Sequence, residues 1–567
     1  MSHATNQRGN DILLRMSNFT TRFTNGTIVD GTGRPAFVGD VVVRGDTIAD
    51  ILSHAPGAAL PRGADESVVD ATGLLVTPGF VDAHAHSDAY LVLEPSAPSK
   101  ITQGVTTEIN GQCGGSAVPR YGEARLSSDW AALLGDRLTW RSLADYREVL
   151  AAAKPALNTI QFIGHNTLRA SVVGYAGRRA TADELARMQR LLEQSLDEGG
   201  WGLTTGLIYQ PGKYSTPEEV VALASVAARH GAFYATHMRS EGDRILEAID
   251  EVLALVEKTG VRAEISHLKT SGRRNWHKID AVLEKIETAM AQGRLLGSDR
   301  YPYCAAGTDL DVLLSDWAQE GAVPAECRRL ADPALRAKIV AELNALDRDW
   351  STVMIGGTWS DETKPFSGKL VSEILSDVSD DRDESDGRPS SLTPLTSLTS
   401  RQKLSPGELI CSILERDGCK TGGFFFGMSE ENLDKILAKP WIVPGSDASL
   451  RAPWGPLAAD HPHPRAYTTM PEFYRRVRAL GVSREETVAR MTSVPARRFE
   501  IPNRGVLARG AFADVAVWDE SSFAGRATYK DPHQFSTGMK LVMVNGEVPY
   551  ADGAFTGARS GRFLERA

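Results

Sequence analysis

The sequence predicts an α/β protein, with a (β/α)8 barrel of the TIM type and a small β domain formed from both chain ends. Eight short β-like runs alternate with amphipathic helical stretches through the middle of the 567-residue chain. Polar side chains gather at the C-terminal ends of these runs, where such barrels hold their active sites. Segments rich in Val, Ile and Thr, divided by Gly-containing turns, lie on either side of this middle.

The chain ends carry the predicted β domain. Residues 1–20 are expected to form a flexible extension, and the segments 21–72 and 502–560 share a pattern of short antiparallel strands. NG, DG and GD turn signals separate their apolar runs. Two matching segments at opposite ends favour one small domain built from both termini. Two unrelated hairpins are the alternative.

The catalytic barrel is predicted over residues 73–501, with two interruptions. Its β-like runs are, in order, LLVTPGFVDAHAH, GVTTEINGQCG, TIQFIGHN, GWGLTTGLIY, AFYATHM, RAEISHL, LLGSDRYPY and WIVPGSD. A helical piece at about 304–357 is expected to be an inserted, lid-like segment. The stretch at about 377–403 is acidic and then rich in Ser, Thr and Pro, so it is predicted to be a disordered surface loop.

Composition excludes several classes of function. The chain has 63 Lys plus Arg against 72 Asp plus Glu, a net charge of −9, which argues against nucleic acid and anionic membranes as partners. No segment holds the ~18 consecutive apolar residues of a membrane span. The N-terminus lacks the pattern of a secretory signal, so a cytoplasmic location is expected. The five cysteines are scattered without a CxxC pair, so no disulfide framework is expected.

Four of the 12 histidines lie at the ends of predicted barrel strands. His84 and His86 are two residues apart in the first run, so on a strand their side chains face the same side. His237 lies near the end of the fifth run and His267 near the end of the sixth. A single histidine in such a place is more often a hydrogen-bonded core residue. Four at one barrel mouth favour a metal site.

Cys113 and Asp447 complete the candidate site. Cys113 ends the second run inside GQCGG; a buried thiol is usually a small core residue, but a thiolate beside imidazoles suits zinc. Asp447 ends the eighth run in PGSDAS, where it can cap a helix or accept a proton from water at the metal. Catalytic zinc takes three protein ligands and a water. The set therefore points to hydrolysis of an amide or a similar bond.

The chain resembles the amidohydrolase superfamily, and within it the D-aminoacylase (N-acyl-D-amino-acid deacylase) group, over roughly residues 20–560 outside the acidic loop. The resemblance is carried by TPGFVDAHAHSD, QGVTTEINGQCGGS, GLTTGLIYQPG, THMRSEG, ISHLK, GSDAS, HPHPRAY and MTSVPARRF, in that order. It implies the barrel and the small β domain together with Zn²⁺. It assigns the ligands as follows: Cys113, His237 and His267 to one tight zinc, His84 and His86 to a second, weaker position, and Asp447 as the general base at the metal.

The resemblance also implies four contacts with the substrate. Arg465 in HPHPR and Lys269 after the sixth run are similar to family residues that hold the substrate carboxylate. Tyr303 is similar to a tyrosine near that carboxylate, and Tyr209 to a residue of the pocket wall. Other amidohydrolases bridge two metals with a carboxylated lysine at the end of strand four. The run GLTTGLIY has none, which favours the cysteine-containing group.

The resemblance implies a zinc hydrolase that cleaves N-acyl-D-amino acids, with a small-molecule partner and no prediction of oligomeric state. Two departures lie near the pocket: GQCGG where the group more often has GNCG, and a longer stretch between Asp447 and HPHPR. They leave the side-chain and acyl preference open. One alternative is an amidohydrolase for another linear or cyclic amide, such as a hydantoinase- or dihydroorotase-like enzyme or one acting on a modified peptide. Another is a non-catalytic paralogue.

Overall fold

The computed structural model describes residues 20–55, 66–126, 128–380 and 404–566. Most of the predicted N-terminal extension (1–20) and of the acidic loop (377–403) lies outside these residues.

The strands of the described residues are β1 (Thr20–Ile28), β2 (Phe37–Arg44), β3 (Thr47–Ser53), β4 (Glu66–Asp70), β5 (Leu75–Pro78), β6 (Phe80–Asp82), β7 (Val105–Asn110), β8 (Asn158–Gln161), β9 (Ile163–Gly164), β10 (Gly202–Gly206), β11 (Phe233–His237), β12 (Arg262–Ile265), β13 (Leu296–Arg300), β14 (Ala306–Asp309), β15 (Val353–Ile355), β16 (Gly422–Phe425), β17 (Ile442–Pro444), β18 (Val515–Trp518), β19 (Met539–Val544), β20 (Glu547–Ala551) and β21 (Ala554–Phe555).

The α-helices of the same residues are α1 (Tyr90–Leu93), α2 (Pro98–Ile101), α3 (Ser128–Leu134), α4 (Leu143–Ala153), α5 (His165–Val172), α6 (Ala182–Asp197), α7 (Pro217–Arg229), α8 (Ile245–Thr259), α9 (Ile279–Ala291), α10 (Asp316–Gln319), α11 (Ala322–Ala331), α12 (Pro333–Asn344), α13 (Val371–Asp380), α14 (Pro406–Arg416), α15 (Glu430–Leu437), α16 (Arg465–Ala479), α17 (Arg484–Met491) and α18 (Ser493–Arg498).

Eight parallel positions form the predicted barrel. One parallel sheet has the order β6-β7-β8, and the other has the order β17-β13-β12-β11-β10-β9. The two sheets meet where β8 runs on into β9 and where β6 lies beside β17. At the second junction the Ala83 amide donates to the Pro444 carbonyl at 3.1 Å, and the Asp447 amide donates to the His84 carbonyl at 2.8 Å. Each barrel position ends at the same mouth, which brings distant parts of the sequence together.

The small β domain is one sheet made from both chain ends. Its order is β21-β20-β19-β18-β5-β1-β2-β3, with β4 paired to β1. The C-terminal strand β18 pairs antiparallel with β5, with Ala516 opposite Thr77. The alternative of two unrelated hairpins is therefore wrong, because this pairing joins the ends in a single sheet. The first β-like run is divided between the two units, since β5 belongs to this sheet and β6 to the barrel.

The excursion between β13 and β17 is longer than the predicted segment 304–357. Strands β14, β16 and β15 form a small antiparallel sheet, with β16 at Gly422–Phe425 in its centre. Helices of the same excursion add an apolar core of their own, which includes Leu310, Leu343 and Ile410. The sequence missed this extent because the acidic loop separates the two halves of the excursion.

The core closes the barrel at the end opposite the mouth. Side chains from the strands, such as Ile160 and Phe233, pack inside the barrel against Phe499 and Ile501, which follow α18. Outside, amphipathic helices cover the strands; α6 begins with a capping box in which Thr181 and Glu184 satisfy each other's backbone amides. Since one end is filled with apolar side chains, the polar mouth is left as the place for a site.

Candidate active site

Six side chains predicted as metal ligands come together at the mouth of the barrel. Two groups have all their ligand atoms within 4.8 Å of one another, and Cys113 belongs to both. The first group consists of His84, His86, Cys113 and Asp447, and the second of Cys113, His237 and His267. The Cys113 Sγ lies 3.3 Å from His84 Nε2, 3.7 Å from His237 Nδ1 and 3.2 Å from His267 Nε2.

These separations fit zinc. Zn–S bonds of about 2.3 Å and Zn–N bonds of about 2.05 Å, arranged tetrahedrally, place sulfur and nitrogen about 3.5 Å apart. The distances from the Cys113 sulfur to the three imidazole nitrogens, 3.2–3.7 Å, bracket that value. Sulfur with nitrogen is also the donor mixture that zinc accepts. The residues present therefore fit the metal that the sequence predicts.

Three of the six residues have a left-handed backbone. The φ angles are 52° at Cys113, 36° at His267 and 49° at Asp447. This region is unfavourable for residues with a Cβ, and each such residue costs on the order of 1–3 kcal/mol. Cys113 is followed by Gly114, where an added Cβ would lie 2.3 Å from the Asn166 side-chain oxygen. The chain therefore turns sharply after the strands that carry these three residues, and the surrounding structure holds the unfavourable backbone conformation in place.

Carboxylates behind the cluster fix the orientation of its rings. Asp299 accepts from His84 Nδ1 at 3.1 Å, so Nε2 of His84 faces Cys113, and Asp299 also accepts from the His267 amide at 3.1 Å. Glu241 lies 3.0 Å from His267 Nδ1 and 3.6 Å from His237 Nε2. Such outer partners set the tautomer of a ligating histidine and raise its basicity.

The charges of the site suit metal binding and proton transfer. Burial alone raises the pKa of the Cys113 thiol, but the neighbouring His84 and His267 rings hold it well below its usual value. Burial likewise opposes ionisation of Asp447, yet the Arg465 guanidinium keeps the pKa of that carboxyl well below its usual range. A thiolate and a carboxylate at neutral pH are the forms that a zinc site and a general base require.

Of the predicted substrate contacts, two line the cleft above the cluster. This cleft has a volume of about 1360 Å³, and its walls include His86, Asp447, Arg465 and Tyr209. Arg465 Nη1 donates to Asp447 Oδ2 at 2.7 Å and Nη2 donates to the Gly307 carbonyl at 3.0 Å, while its Nε has no partner among the described residues. The Tyr209 ring lies 4.9 Å from the His237 ring.

The other two predicted contacts lie elsewhere. Lys269 is buried; its ammonium is hydrogen-bonded to Glu241 and lies 2.7 Å from His267 Nδ1. The hydroxyl of Tyr303 is hydrogen-bonded to Thr468 of α16. The structure therefore places Lys269 behind the metal cluster and turns the Tyr303 hydroxyl toward a helix.

A buried lysine below the site was not predicted. Lys100 Nζ donates to Asp82 Oδ2 at 2.7 Å, to Ser446 Oγ at 2.8 Å and to the Ala448 carbonyl at 2.9 Å. Asp82 in turn accepts from the amides of Ser446 and His84, at 2.8 and 3.3 Å. This network ties the end of β6 to the end of β17, and so holds the neighbourhoods of His84 and Asp447 together.

Sequence reasoning also missed Glu241 and Asp299. Both lie in segments that were singled out, THMRSEG and LLGSDRYPY, but neither was given a role. The available signal was a carboxylate just beyond a strand that carries a histidine ligand, or on the neighbouring strand.

Within the part of the chain that the structure describes, no helix has both the length and the apolar character needed to cross a membrane.

A barrel with a mixed cysteine, histidine and aspartate cluster at its mouth defines the class of the protein. The model of the amidohydrolase family matches residues 67–352 and 423–550, and the chain belongs to this family. The resemblance carried by the motifs and the fold class predicted from the β/α alternation are thereby confirmed.

Within the family, the chain is similar to enzymes that act on N-acyl-D-amino acids. It is 32% identical over 551 residues to D-aminoacylase of Alcaligenes xylosoxydans xylosoxydans, covering 97% of this chain and 98% of that protein. It is also 32% identical to N-acyl-D-glutamate deacylase of the same organism, covering 95% of each chain. A crystal structure of N-acyl-D-glutamate deacylase from Bordetella bronchiseptica, complexed with zinc and a phosphonate inhibitor, superposes with a TM-score of 0.77 at 30% identity, over 97% of this chain and 100% of that one.

Proposed function

We propose that this chain is a zinc-dependent hydrolase that cleaves N-acyl-D-amino acids to a D-amino acid and a carboxylate. The observation that carries the proposal is the Cys113 sulfur within 3.2–3.7 Å of three imidazole nitrogens at the barrel mouth. Asp447 and Arg465 lie directly beside this cluster. The relatives of known activity support the substrate class, because they match over nearly the whole chain.

The cluster contains enough donors for one tight zinc and a second, weaker one. Cys113, His237 and His267 would hold the tight ion, and His84, His86 and Asp447 surround the weaker position. A D-aminoacylase of known structure is 31% identical to this chain and superposes with a TM-score of 0.76. It has a binuclear metal centre, with one-metal activation and second-metal attenuation. When bound, zinc supplies Lewis acidity, which polarises a carbonyl and lowers the pKa of a water to about 7.

Asp447 is the proposed general base. Its carboxylate is ionised at neutral pH, since Arg465 holds its pKa down against the effect of burial. Oδ1 lies 3.1 Å from His86 Nε2 and Oδ2 accepts from Arg465, so the carboxylate is fixed at the cleft floor. There it would accept a proton from the attacking water and pass it to the leaving amine.

Arg465 is the proposed anchor for the substrate carboxylate. It lines the cleft, it is buried, and its Nε is without a partner among the described residues. A guanidinium can bind a carboxylate through two parallel hydrogen bonds. Tyr209 would form the adjoining wall. Lys269 and Tyr303 stay predicted contacts. In this structure Lys269 is hydrogen-bonded to Glu241, and Glu241 contacts His267, so Lys269 is placed to help position that histidine.

A screen with zinc-loaded protein and paired N-acetyl-D- and N-acetyl-L-amino acids tests the proposal. The substrate would be fixed at two points, its acyl carbonyl at the metal and its carboxylate at Arg465. With both points fixed, the side chain of the L-isomer meets a different wall of the cleft from the side chain of the D-isomer. We expect a D preference of about 10²-fold or more in kcat/KM. Equal rates, or an L preference, would contradict the stereochemistry. Turnover of hydantoin or dihydroorotate alone would favour the cyclic-amide alternative, and no bound metal would favour the non-catalytic one.

We also propose a cytoplasmic location for the enzyme. Its acidic composition and five scattered cysteines are typical of cytosolic enzymes. Cell fractionation followed by detection of the native protein tests this, and recovery outside the cytoplasmic fraction would contradict it.

A further inference from the structure

Gln210 is a cleft-lining residue whose side-chain amide has no partner. Both Oε1 and Nε2 are buried, and neither forms a hydrogen bond with any described residue. In Gln112 and Gln161 only the side-chain oxygen is both buried and without a partner. In Gln210 both polar atoms of the amide are in that state. It follows Tyr209, whose ring packs on His237 of the metal cluster.

The backbone around Gln210 is, by contrast, held firmly. The Asn166 side-chain amide donates to the carbonyls of Gly206, Tyr209 and Gln210, at 3.1, 3.3 and 3.4 Å. Gly212 packs tightly against Asn166, since a Cβ added at Gly212 would lie 2.4 Å from the Asn166 side-chain oxygen. The unmatched amide thus sits on a fixed loop rather than on a loose one.

An unpaired buried amide is unusual and unfavourable. Most buried polar side-chain atoms in folded proteins have a hydrogen-bond partner, and burying one without a partner costs free energy. Because Gln210 is a lining residue of the cleft, a ligand that reaches its amide is the natural source of the partner. A site of this kind rejects analogues that lack the matching polar group.

The chemistry of the amide defines what that group is. Gln210 offers one acceptor oxygen and two donor hydrogens side by side. A carboxylate has acceptors only and an ammonium has donors only, so either leaves half of the glutamine unmatched. Another amide satisfies both halves at once, whichever way the glutamine amide is turned.

We propose that Gln210 is a specificity-determining residue that binds a second amide group of the substrate, separate from the bond that is cleaved. The proposal rests on the proposed N-acyl-D-amino-acid hydrolysis. A second amide has two sources: a carboxamide in the amino-acid side chain, or a peptide group within the acyl part. The cleft of about 1360 Å³ exceeds the 300–1,000 Å³ of ordinary ligand pockets and has room for either.

The test compares matched substrates with wild-type protein. For the side chain, kcat/KM is measured for N-acetyl-D-glutamine, N-acetyl-D-methionine and N-acetyl-D-glutamate. For the acyl part, N-(acetylglycyl)-D-leucine is compared with N-pentanoyl-D-leucine, which has the same chain length without the inner amide. In one of the two comparisons we expect the amide substrate to be favoured by about 10- to 100-fold, and that comparison identifies the source.

Gln210→Met and Gln210→Glu then ask whether this residue causes the preference. Gln210→Met removes the amide at similar size and should bring the ratio to within about threefold of unity, mainly through KM. Gln210→Glu keeps the length but offers acceptors only, so it should lower the ratio as well. Inhibition by the product D-glutamine or by free acetylglycine gives a second reading that does not depend on turnover. Gln194→Met on the outer face of α6, where Gln194 donates to Glu198, is the matched control.

The outcomes separate the two proposals. If zinc-loaded wild type hydrolyses no N-acyl-D-amino acid, the proposed function fails. If it hydrolyses them without preferring the amide in either comparison, the assignment of Gln210 is overturned. It is also overturned if the preference survives in both Gln210 variants. Loss of the preference in Gln194→Met, as in the Gln210 variants, would likewise overturn it.

Discussion

Replacement of Lys100 by methionine tests whether the buried network below the site holds it in place. The Lys100 side chain is fully buried, and its three donors are all used, by Asp82, Ser446 and the Ala448 carbonyl. Glu108 lies 3.7 Å from the same ammonium. Methionine fills similar space but removes the charge and all three hydrogen bonds, and leaves the Asp82 carboxylate buried without its cation.

The magnitude follows from that burial. Asp82 and Lys100 both have side-chain exposures of 0%, so solvent cannot screen the loss. Breaking a buried pair by removing one partner costs about 3–5 kcal/mol. Burial already raises the pKa of Glu108 to about 6 although Lys100 lowers it, so without Lys100 this carboxyl should be neutral up to a higher pH. The loss should reach the weaker metal position, because Asp82 also accepts from the His84 and Ser446 amides. Weakening a partner behind a ligand typically costs 10- to 100-fold in metal affinity.

Two measurements check this prediction. The urea midpoint should fall by about 1–2 M, at a slope of about 3 kcal/mol per M. Zinc affinity at the weaker position, from competition with a chelator, should fall by at least about tenfold. Lys285→Met is the matched control: Lys285 pairs with Asp250 on the surface, at 37% and 57% exposure, and its loss should cost less than about 0.5 kcal/mol. If Lys100→Met matches this control in both stability and zinc affinity, the network does not support the site.

Three further predictions concern the metal, the base and the pH dependence of stability. Protein purified without added metal should hold about one zinc per chain, and Cys113→Ala should lose most of it; full zinc and activity in that variant would remove Cys113 from the site. Asp447→Asn should lower kcat by about 10²-fold or more with little change in the tight zinc, and near-normal kcat would place the proton transfer elsewhere. Burial raises the pKa of Glu264 to about 7 although Arg498 lowers it. The folded state therefore binds the extra proton, and its stability should fall by up to about 4 kcal/mol as pH rises from about 4.3 to about 7. Glu264→Gln should flatten urea midpoints between pH 5 and 8, whereas the exposed Glu284→Gln should not; an unchanged slope in Glu264→Gln would contradict the assignment.

The sequence was informative wherever a residue's role follows from its place along a strand. His237 ends β11, Cys113 and His267 follow β7 and β12 within three residues, and parallel strands of a barrel deliver all such positions to one mouth. Alternation and strand ends therefore suffice to predict which side chains meet. The fold class follows from the same regularity.

The sequence was uninformative wherever a role depends on the direction that a loop takes. Glu241 reaches back from its loop to His267, and Gln210 leaves an amide unpaired beside the cleft; periodicity fixes neither. Lys100 lies on the four-residue helix α2, where its burial depends on β17 arriving from more than 340 residues away. The predicted orientation of Lys269 toward the substrate had the same weakness, since only the structure shows which neighbour its ammonium meets.

The left-handed backbone at Cys113, His267 and Asp447 connects these two lessons. Local preferences disfavour this conformation at residues with a Cβ, so each of the three positions conflicts with local propensity while it agrees with the fold. Conflicts of this kind are expected to gather at functional sites, where surrounding structure compensates for them. Here the compensation is visible: Asp299 binds the His267 amide, and the His84 carbonyl accepts from the Asp447 amide. Because the turn, rather than the strand, directs each of these side chains inward, loss of either backbone contact should weaken metal binding although every ligand is kept.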